Sequence, residues 1–455
     1  MPIYRFLIFI LICLLTSPSI AYKPNIIIIL TDDQGYGDIG CYGNSNIKTL
    51  HLDMMATEGM RFTDFYMAAS VCTPSRAALL TGCYPYRVGM SEVLFPNSMP
   101  QGQKNGMAIG LNSKEVTVAE LLQSQGYQTA CIGKWHLGDL PEFMPLNHGF
   151  DEYFGLPYSN DMIPGTTQYD FDPIPLYDGE KVIETNPNQD LLTRRYTEKA
   201  IDFIRKNKNA PFFLYLAHSM PHRPCHASEN FAKKWFTDQQ LAKIQGEKKE
   251  TRDFLYPATI EEIDWSVGEI LNVLKELNLD SQTLVIFTSD NGPAIGSSGP
   301  LRGRKGSFYE GGFRVPCIMK WKGTIPEGSI CKQIIASIDL YPTLASLSDY
   351  NLPNEMVVDG VSILDYLVGK KGEEPRKNFF YINQDGDVIA VRQQNWKLFL
   401  GKELLLFDLE NDVKESNNLV KKNPEIVEQL IEKAEKFHHE LLNNKREPGM
   451  ILYRN

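Results

Sequence analysis

Short apolar runs limit the fold of this chain more than any other feature of its sequence. They are continuous, rich in isoleucine, valine, leucine and phenylalanine, and only four to six residues long. Runs of this kind are typical of strands that are buried on both faces of a parallel sheet. The runs cover residues 25–30, 211–216, 283–288 and, more weakly, 129–132.

Helical periodicity fills the chain between these runs, over residues 116–125, 193–207 and 260–277. A regular alternation of buried strands and helices is typical of an α/β domain that carries helices on both faces of its sheet. We therefore predict an α/β fold for most of the chain.

The pattern changes after about residue 370. Residues 371–375 read as a polar linker, and residues 424–442 have the periodicity of a charged amphipathic helix. We predict a small α+β subdomain of antiparallel strands and one helix, so that the chain divides into residues 1–21, 22–370 and 371–455. The predicted short strands are residues 378–382, 388–392, 396–400 and 404–408.

The first 21 residues have the pattern of a secretory signal peptide. Arg5 precedes an apolar segment over residues 6–15, and small residues follow as far as Ala21. A membrane anchor is the alternative, but the apolar segment is short for a bilayer span. We expect cleavage after Ala21 and a secreted or periplasmic protein with no stable membrane anchor.

Cysteine content and charge exclude two further classes. Eight cysteines in 455 residues are too few for a disulfide scaffold, so we interpret them as buried free thiols, with a Cys317–Cys331 pair as an alternative. The formal net charge of −10 argues against nucleic-acid binding, which needs a basic surface. A locally positive pocket for a small anion remains compatible with this charge.

Polar residues follow the predicted strands at the points where ligands bind in open α/β sheets. Asp32 and Asp33 follow the first run, and Asp290 and Asn291 follow the run at 283–288. Three carboxylates and one amide are suitable oxygen ligands for Ca²⁺, with Mg²⁺ as an alternative. The same residue types also cap helices and make turns, which is the purely structural interpretation.

The segment from Cys72 to Gly82 carries the most specific pattern. Pro74 favours the start of a helix, and Gly82 favours its end. Cys72 would then lie at a helix N-terminus, where free N–H groups and the helix dipole favour an anion. An acidified thiol is one interpretation of a cysteine in this position.

The sequence Cys72-Thr-Pro-Ser-Arg76, continued through Thr81-Gly82, resembles the signature of the type I sulfatases. Residues 126–136, the two acidic pairs, and Lys305 within residues 303–306 also match that family, and in the family's order. The resemblance extends from Pro24 to about Leu347. It implies an alkaline-phosphatase-like fold, with a mixed, mostly parallel sheet between helices, and hydrolysis of sulfate monoesters.

The resemblance also implies how the reaction proceeds. A maturation enzyme would oxidise Cys72 to Cα-formylglycine, whose hydrated aldehyde supplies two hydroxyl groups on one carbon. One hydroxyl would attack sulfur with Asp290 as proton acceptor. The other would lose its proton to His136, so that the aldehyde re-forms and sulfate leaves.

Basic residues would provide the remaining catalytic groups. Arg76 would hold the diol and the metal shell, and Lys134 and Lys305 would bind the sulfate oxygens. His222 would protonate the leaving alcohol, with His218 as the weaker alternative. The resemblance implies that Asp32, Asp33, Asp290, Asn291 and the modified Cys72 hold a Ca²⁺, which would polarise the sulfate.

Residues 155–161 resemble the branch that contains arylsulfatase A and N-acetylgalactosamine-6-sulfatase, and in that branch Ser159 would contact the sulfate. This resemblance favours a sulfated galactose or N-acetylgalactosamine glycan as substrate. Two alternatives stay open at this point: a phosphonate monoester or phosphodiester hydrolase with the same fold, and a non-catalytic glycan-binding protein whose Cys72 is never converted.

Overall fold

The computed structural model describes residues 23–165, 169–246, 249–370 and 374–452. The predicted signal peptide and residues 371–373 of the predicted linker lie outside these ranges. Within them, no helix is both long enough and apolar enough to cross a bilayer.

Strands and helices alternate through the described residues between 25 and 347, as the sequence predicts. The strands are β1 (Asn25–Thr31), β2 (Met60–Phe62), β3 (Phe65–Tyr66), β4 (Gln103–Lys104), β5 (Met107–Gly110), β6 (Gln128–Gly133), β7 (Glu152–Gly155), β8 (Pro175–Asp178), β9 (Lys181–Thr185), β10 (Phe212–Ala217), β11 (Thr283–Ser289), β12 (Cys317–Lys320), β13 (Ser329–Cys331), β14 (Ile335–Ala336), β15 (Asn378–Ile382), β16 (Val388–Gln393), β17 (Trp396–Phe399), β18 (Leu405–Asp408) and β19 (Gly449–Leu452). The helices are α1 (Leu50–Thr57), α2 (Cys72–Thr81), α3 (Val118–Ser124), α4 (Leu192–Lys206), α5 (Glu229–Ala232), α6 (Asp238–Gly246), α7 (Tyr256–Glu276), α8 (Glu310–Phe313), α9 (Leu340–Leu347), α10 (Leu364–Leu367) and α11 (Pro424–Asn443).

A ten-stranded sheet occupies the centre of the molecule, in the order β13-β2-β12-β11-β1-β10-β6-β7-β8-β9. The neighbours β11, β1, β10 and β6 are parallel, and they are the four apolar runs of the sequence. Every residue of β1 and β11 is buried, which explains why neither strand shows an alternation of polar and apolar residues. The carboxyl ends of these four strands therefore meet at one edge of the sheet.

Helices cover both faces of this sheet, and alternate residues of β1 pack against different sets of them. Ile26 and Ile28 contact a core shared with α2, α3 and α9. Ile27 and Ile29 contact a core shared with α1, α4 and α7. Successive residues of β1 therefore point to opposite faces of the sheet and pack against helices on each face. This arrangement confirms the predicted α/β class.

The C-terminal part contains an antiparallel sheet, β15-β16-β17-β18, and α11 packs against it. The prediction of an α+β subdomain is confirmed. The last strand, β19, departs from this unit and pairs with β5 at residues 107–110. Residues 449–452 are thus joined by backbone hydrogen bonds to the main domain.

Buried charges also connect the two parts. The Glu310 carboxylate accepts hydrogen bonds from the Tyr381 hydroxyl at 2.6 Å and from Lys397 Nζ at 3.0 Å. Lys397 also pairs with Glu415 at 2.8 Å, and all three ionised side chains are fully buried. Breaking a buried ion pair costs free energy, because it leaves a charge buried without a partner. This network therefore holds β17 of the C-terminal sheet in one position against α8.

Two expectations from the sequence need correction or extension. The short strands β2, β12 and β13 join the main sheet although the sequence analysis did not identify them.

Cys317 and Cys331 both align with Phe62, one on each side of β2. With strands about 4.8 Å apart, their Cα atoms are about 10 Å apart, too far for a disulfide. The proposed pair is therefore wrong, and all seven cysteines in the described ranges are free thiols.

Candidate active site

The carboxyl ends of the four central strands bring the predicted site residues to one edge of the sheet. The segments that follow β1 and β11 carry the acidic residues, and those that follow β6 and β10 carry basic residues and histidines. Nearly all of these side chains are at most 3% exposed. The residues are Asp32, Asp33, Lys134, His136, His222, Asp290 and Asn291.

Cys72, the first residue of α2, lies close enough to the cluster for the charges of Lys134, Lys305, Asp32 and Asp290 to act on its thiol. The helix ends where Gly82 takes a left-handed φ of 69°, and a Cβ at that position would lie 2.6 Å from Tyr341 Cβ. The fold therefore requires glycine at position 82 for two reasons: the backbone there is left-handed, and Tyr341 leaves no space for a side chain. Both the start and the end of the helix agree with the prediction.

Arg76 lies one turn into α2, and its side chain is fully buried between three strand ends. Its Nε and Nη2 donate to Asp290 Oδ2 at 3.1 and 2.9 Å, and its Nη1 donates to the Lys134 carbonyl at 2.8 Å. Nη2 is also 3.4 Å from Asp32 Oδ2. The planar guanidinium thus joins β1, β6 and β11 in one fork of hydrogen bonds.

Lys134 is the second buried cation of the site. Its Nζ is 2.5 Å from Asp32 Oδ2 and 3.2 Å from the Ser159 hydroxyl oxygen. Ser159 is 2% exposed and lies after β7, so the structure brings this loop residue to the cluster that the sequence analysis assigned it to.

Lys305 reaches the cluster from the loop between β11 and α8. Its Nζ contacts Asp33 at 2.7 Å (Oδ1) and 2.8 Å (Oδ2). Asn291 Nδ2 donates to the same carboxylate at 2.7 Å, and His222 Nε2 is 3.6 Å from it. Asp33 itself has a φ of 67°, an unfavourable conformation for a residue other than glycine that is frequent at functional sites.

Two oxygen atoms in this cluster have no hydrogen-bond partner among the described residues, although both are buried. They are Asp32 Oδ1 and Asn291 Oδ1. A buried carboxylate or amide oxygen without a donor is costly, so its presence calls for a ligand. Ligand atoms of Asp32, Asp33 and His222 lie within 4.8 Å of one another, and oxygen-rich groups of this type hold Ca²⁺ or Mg²⁺. The residues present fit a divalent cation.

Burial and neighbouring charges separate the protonation states of the aspartates. Burial by itself would raise the pKa of Asp32, but Lys134, His222 and Arg76 together hold it far below its usual range. Burial, and next the charge of Asp32, raise the pKa of Asp290 to about 7. The strand ends therefore supply one permanently ionised carboxylate and one that can exchange a proton near neutral pH.

His136 is buried, with a positive φ of 64°. Its Nε2 lies 2.9 Å from the Leu94 carbonyl oxygen, which can only accept, so Nε2 carries the proton. Burial, and next the charge of Lys134, lower the ring's pKa well below its usual value. The neutral ring therefore has a proton-free Nδ1, which has no partner within the described part of the chain.

His222 faces an acceptor with each ring nitrogen. Nδ1 is 2.7 Å from the Arg223 carbonyl oxygen, and Nε2 faces Asp33. Burial lowers the pKa of His222, and Lys305 lowers it further, whereas Asp33 opposes both effects. His218 is placed differently. Its Nε2 contacts Ser266 Oγ on α7 at 3.1 Å, and burial lowers its pKa to about 3.

The structure also adds residues that the sequence analysis did not single out. The Thr73 hydroxyl donates to the His136 carbonyl at 3.0 Å and accepts from the Leu94 amide at 3.2 Å, so it ties α2 to the loop that holds the His136 ring. Gln34 is fully buried, and its side-chain amide has no partner among the described residues. Its position directly after Asp33 was the signal that could have drawn attention to it.

Comparison with known proteins places these residues in context. The family model described as "Sulfatase" matches residues 24–350, and that of "N-sulphoglucosamine sulphohydrolase, C-terminal" matches residues 304–442. The first match contains all of the strand ends described above, and the second covers the antiparallel sheet and most of α11.

Two relatives and one solved structure illustrate the similarity. Arylsulfatase A of Homo sapiens is 38% identical over 85% of this chain and 76% of the relative. N-acetylgalactosamine-6-sulfatase of Canis lupus familiaris is 38% identical over 82% of this chain and 71% of the relative. The crystal structure of Ps i-CgsB in complex with k-i-k-neocarrahexaose superposes with a TM-score of 0.78 at 30% identity, covering 95% of each chain.

Proposed function

Because the chain belongs to the sulfatase family, it is a sulfuric ester hydrolase, and we propose that it removes O-sulfate groups from a carbohydrate. The proposal includes a Cα-formylglycine formed from Cys72 and a bound Ca²⁺, with Mg²⁺ as the alternative ion. One observation carries it: two buried cations (Arg76 and Lys134), the half-buried Lys305 and two unpartnered buried oxygens surround the start of α2.

The charge balance of this cluster supports the bound cation. Three aspartates (32, 33 and 290) face three basic side chains (Arg76, Lys134 and Lys305), so their formal charges cancel. A divalent cation leaves an excess of two positive charges in a buried site. That excess suits a sulfate ester, which carries one negative charge, and a nucleophile that becomes anionic as it attacks.

Asp32, Asp33, Asp290 and Asn291 would hold the cation. When bound, it would act as a Lewis acid toward a sulfate oxygen. The unpartnered oxygens of Asp32 and Asn291 are the atoms that gain most from this ligand. Asp33 would exchange part of its contact with Lys305 for the metal, which would free Lys305 Nζ for the substrate.

Cys72 has the environment that a nucleophile for this reaction needs. As formylglycine, it would supply a hydrated aldehyde with one hydroxyl for attack and a second for release of sulfate. Burial raises the pKa of the unmodified thiol, and Lys134 and Lys305 are close enough to oppose that shift. Asp290 would accept the first proton, and Nδ1 of His136, which has no partner among the described residues, would accept the second.

The remaining groups would orient the substrate. Lys134 and Lys305 contact different carboxylates, Asp32 and Asp33, so they can bind different sulfate oxygens. Ser159 already contacts Lys134 and would donate to a third oxygen. As the imidazolium, His222 would keep its Nδ1–H on the Arg223 carbonyl and give its Nε2 proton to the leaving alcohol, which would leave the neutral ring.

A carbohydrate is the favoured sulfate carrier because of the named substrates of similar proteins. One relative is named for the 6-sulfate of N-acetylgalactosamine, and one similar structure holds a neocarrahexaose. We therefore favour a galactose or N-acetylgalactosamine glycan. Action outside the cytoplasm, after cleavage of residues 1–21, is part of the same proposal.

Sulfate release from defined sulfated mono- and disaccharides tests the proposal. The enzyme is co-expressed with a formylglycine-generating enzyme, and peptide mass establishes conversion of Cys72. We expect release from one regioisomer, and no release by the Cys72→Ala variant. A phosphodiester serves as the control substrate. Turnover of the phosphodiester alone, or no sulfate release by fully converted enzyme, would reject the proposed function.

A further inference from the structure

The loop that carries Lys305 is held at both ends by the C-terminal subdomain. We call residues 302–309 the lysine loop, and it ends directly before α8. At its start, Arg302 Nη1 donates to the Glu415 carbonyl at 2.6 Å. At its end, the Phe308 carbonyl accepts from Lys397 Nζ at 2.9 Å. Two residues of the C-terminal subdomain, Lys397 and Glu415, therefore hold a loop of the main domain.

These two residues are also paired with each other. Lys397 Nζ lies 2.8 Å from Glu415 Oε1, and both side chains are 0% exposed. Glu415 Oε2 accepts from the Glu310 amide at 2.9 Å, directly after the lysine loop. Moving one partner of a buried ion pair leaves the other charge buried without compensation, so the pair resists displacement. The lysine loop is thus attached to a fixed point of the fold.

Aromatic packing joins the two ends of the lysine loop to the same sheet. Arg302 Cζ lies 3.8 Å from the centroid of the Tyr309 ring. The Tyr309 ring packs against Phe399 of β17, with 5.2 Å between the ring centroids. The Gly311 amide donates to the Arg302 carbonyl at 2.7 Å, which closes the loop onto α8. Both ends of the loop therefore depend on contacts around the C-terminal sheet.

The lysine loop needs such contacts because its own backbone is permissive on both sides of Lys305. Gly303 and Gly306 take left-handed φ values of 81° and 79°. Glycine restricts the backbone least, so the local sequence does not fix the direction of the lysine side chain. The main domain adds two backbone bonds in the middle of the loop, Lys305 to Pro293 at 3.2 Å and Gly306 to Ser70 at 2.9 Å. The position of the loop ends is left to the C-terminal subdomain.

The buried charge of Lys397 is not needed for the packing of the C-terminal sheet. An apolar side chain would fill the same space without the cost of burying an ammonium group. The ammonium instead supplies the donor that fixes the Phe308 carbonyl. Because Lys397 and Glu415 are fully buried, neither can touch a substrate, and any effect on the reaction must pass through the lysine loop.

We propose that Lys397 and Glu415 are positioning residues for sulfate hydrolysis, which hold the lysine loop so that Lys305 Nζ stays where the sulfate oxygens bind. Lys305 Nζ lies 2.7 Å from Asp33 Oδ1, so a shift of the loop would move it away from the cluster. A misplacement of about 1 Å can lower a rate about 100-fold, even when its cause is far from the chemistry. The inference rests on the proposed function, in which Lys305 binds the sulfate.

A double-mutant cycle tests this proposal. The neutral-pair variant, Lys397→Met/Glu415→Gln, removes both charges together, and its glutamine keeps an acceptor oxygen for the Glu310 amide. It is compared with wild type, with Lys305→Ala and with the combination of all three substitutions. The readout is kcat/KM for the sulfated saccharide that wild type hydrolyses fastest, per molecule of enzyme with converted Cys72, as measured by peptide mass.

The expected result is a loss that depends on the presence of Lys305. Lys305→Ala should lower kcat/KM by about 10–150-fold, the effect of one hydrogen bond to a charged group. The neutral-pair variant should lower kcat/KM by about 10–100-fold when Lys305 is present. In the Lys305→Ala background the same pair should change kcat/KM by less than about twofold, because its effect has already been removed.

Two further variants control for folding. Arg87→Met/Asp359→Asn removes another buried ion pair, and the hydrogen bonds of Arg87 within the described residues do not reach the lysine loop. It should keep kcat/KM within about twofold of wild type. Arg302→Ala replaces the neutral pair if that variant shows no cooperative urea transition. Arg302 is exposed, and its loss should lower kcat/KM about three- to tenfold only when Lys305 is present.

The outcomes separate the two proposals. No sulfate release by fully converted wild-type enzyme rejects the proposed function, and the positioning role with it. Release that is unchanged in Lys305→Ala leaves a sulfatase without a role for Lys305, and it rejects the positioning role alone. A neutral-pair variant with wild-type kcat/KM also rejects it. So does an equal loss with and without Lys305, since that loss would reflect a general effect on folding.

Discussion

Replacing Arg76 with alanine is the sharpest test of how the buried cluster at the strand ends is held together. The side chain is 0% exposed and makes three hydrogen bonds, two to Asp290 and one to the Lys134 carbonyl. Arg76→Ala leaves three buried carboxylates facing only Lys134 and Lys305. Removing one partner of a buried ion pair costs about 3–5 kcal/mol, because the other charge stays buried without compensation.

Two further variants serve as comparisons for this loss of stability. Arg76→Lys keeps the positive charge but not the planar guanidinium with its several donors. Its free energy of unfolding should therefore fall by about 1–3 kcal/mol. Arg205→Ala removes a surface ion pair with Glu276, in which both side chains are more than half exposed, and should change stability by less than about 1 kcal/mol.

Equilibrium urea unfolding in the presence of EDTA, followed by tryptophan fluorescence, measures these differences. EDTA is needed because a bound cation would replace part of the lost positive charge. The free energy of unfolding of Arg76→Ala could lie within about 1 kcal/mol of the wild-type value while Arg205→Ala behaves as expected. In that case the buried carboxylates do not need Arg76 as a partner, and the expected cost of an uncompensated buried charge is wrong.

Three other perturbations have definite expected results. Removing metal with EDTA should abolish sulfate release, and Ca²⁺ at about 100 times its Kd should restore it and stabilise the fold by about 2.7 kcal/mol, measured as a rise in Tm. Burial raises the pKa of Glu262 from 4.5 to about 7, so the folded protein holds a proton there that the unfolded chain has released. Stability should therefore fall by up to about 3 kcal/mol as pH rises from 4.5 through 7, and urea unfolding of Glu262→Gln at pH 5 and pH 8 should lack this loss. Gly82→Ala should destabilise the fold by about 1–3 kcal/mol, because a Cβ there meets Tyr341 at 2.6 Å in a left-handed conformation; an unchanged urea midpoint would show that the end of α2 can shift.

Local sequence determined the elements that lie next to the site. The runs that became β1, β10 and β11 are buried on both faces, so their continuous apolar character was sufficient to identify them. Helix α2 was recognisable from Pro74 and Gly82, since both residues act on the backbone close to their own position. Short strands such as β2 and β12 were missed, because three or four residues carry little periodicity and become strands through their partners.

The sequence by itself determined most of the residue types that reach the site, since most of these groups follow a recognisable strand or lie in the first turn of a recognisable helix. Lys305 and Ser159 instead come from loops. Only the tertiary structure decided how those groups pair. Lys134 contacts Asp32 across 102 residues, Arg76 contacts Asp290 across 214, and Lys305 contacts Asp33 across 272. No local pattern encodes such pairings, because the order of the strands in the sheet sets them. The same strand order leaves Asp32 Oδ1 and Asn291 Oδ1 without partners, where the chemistry calls for a cation.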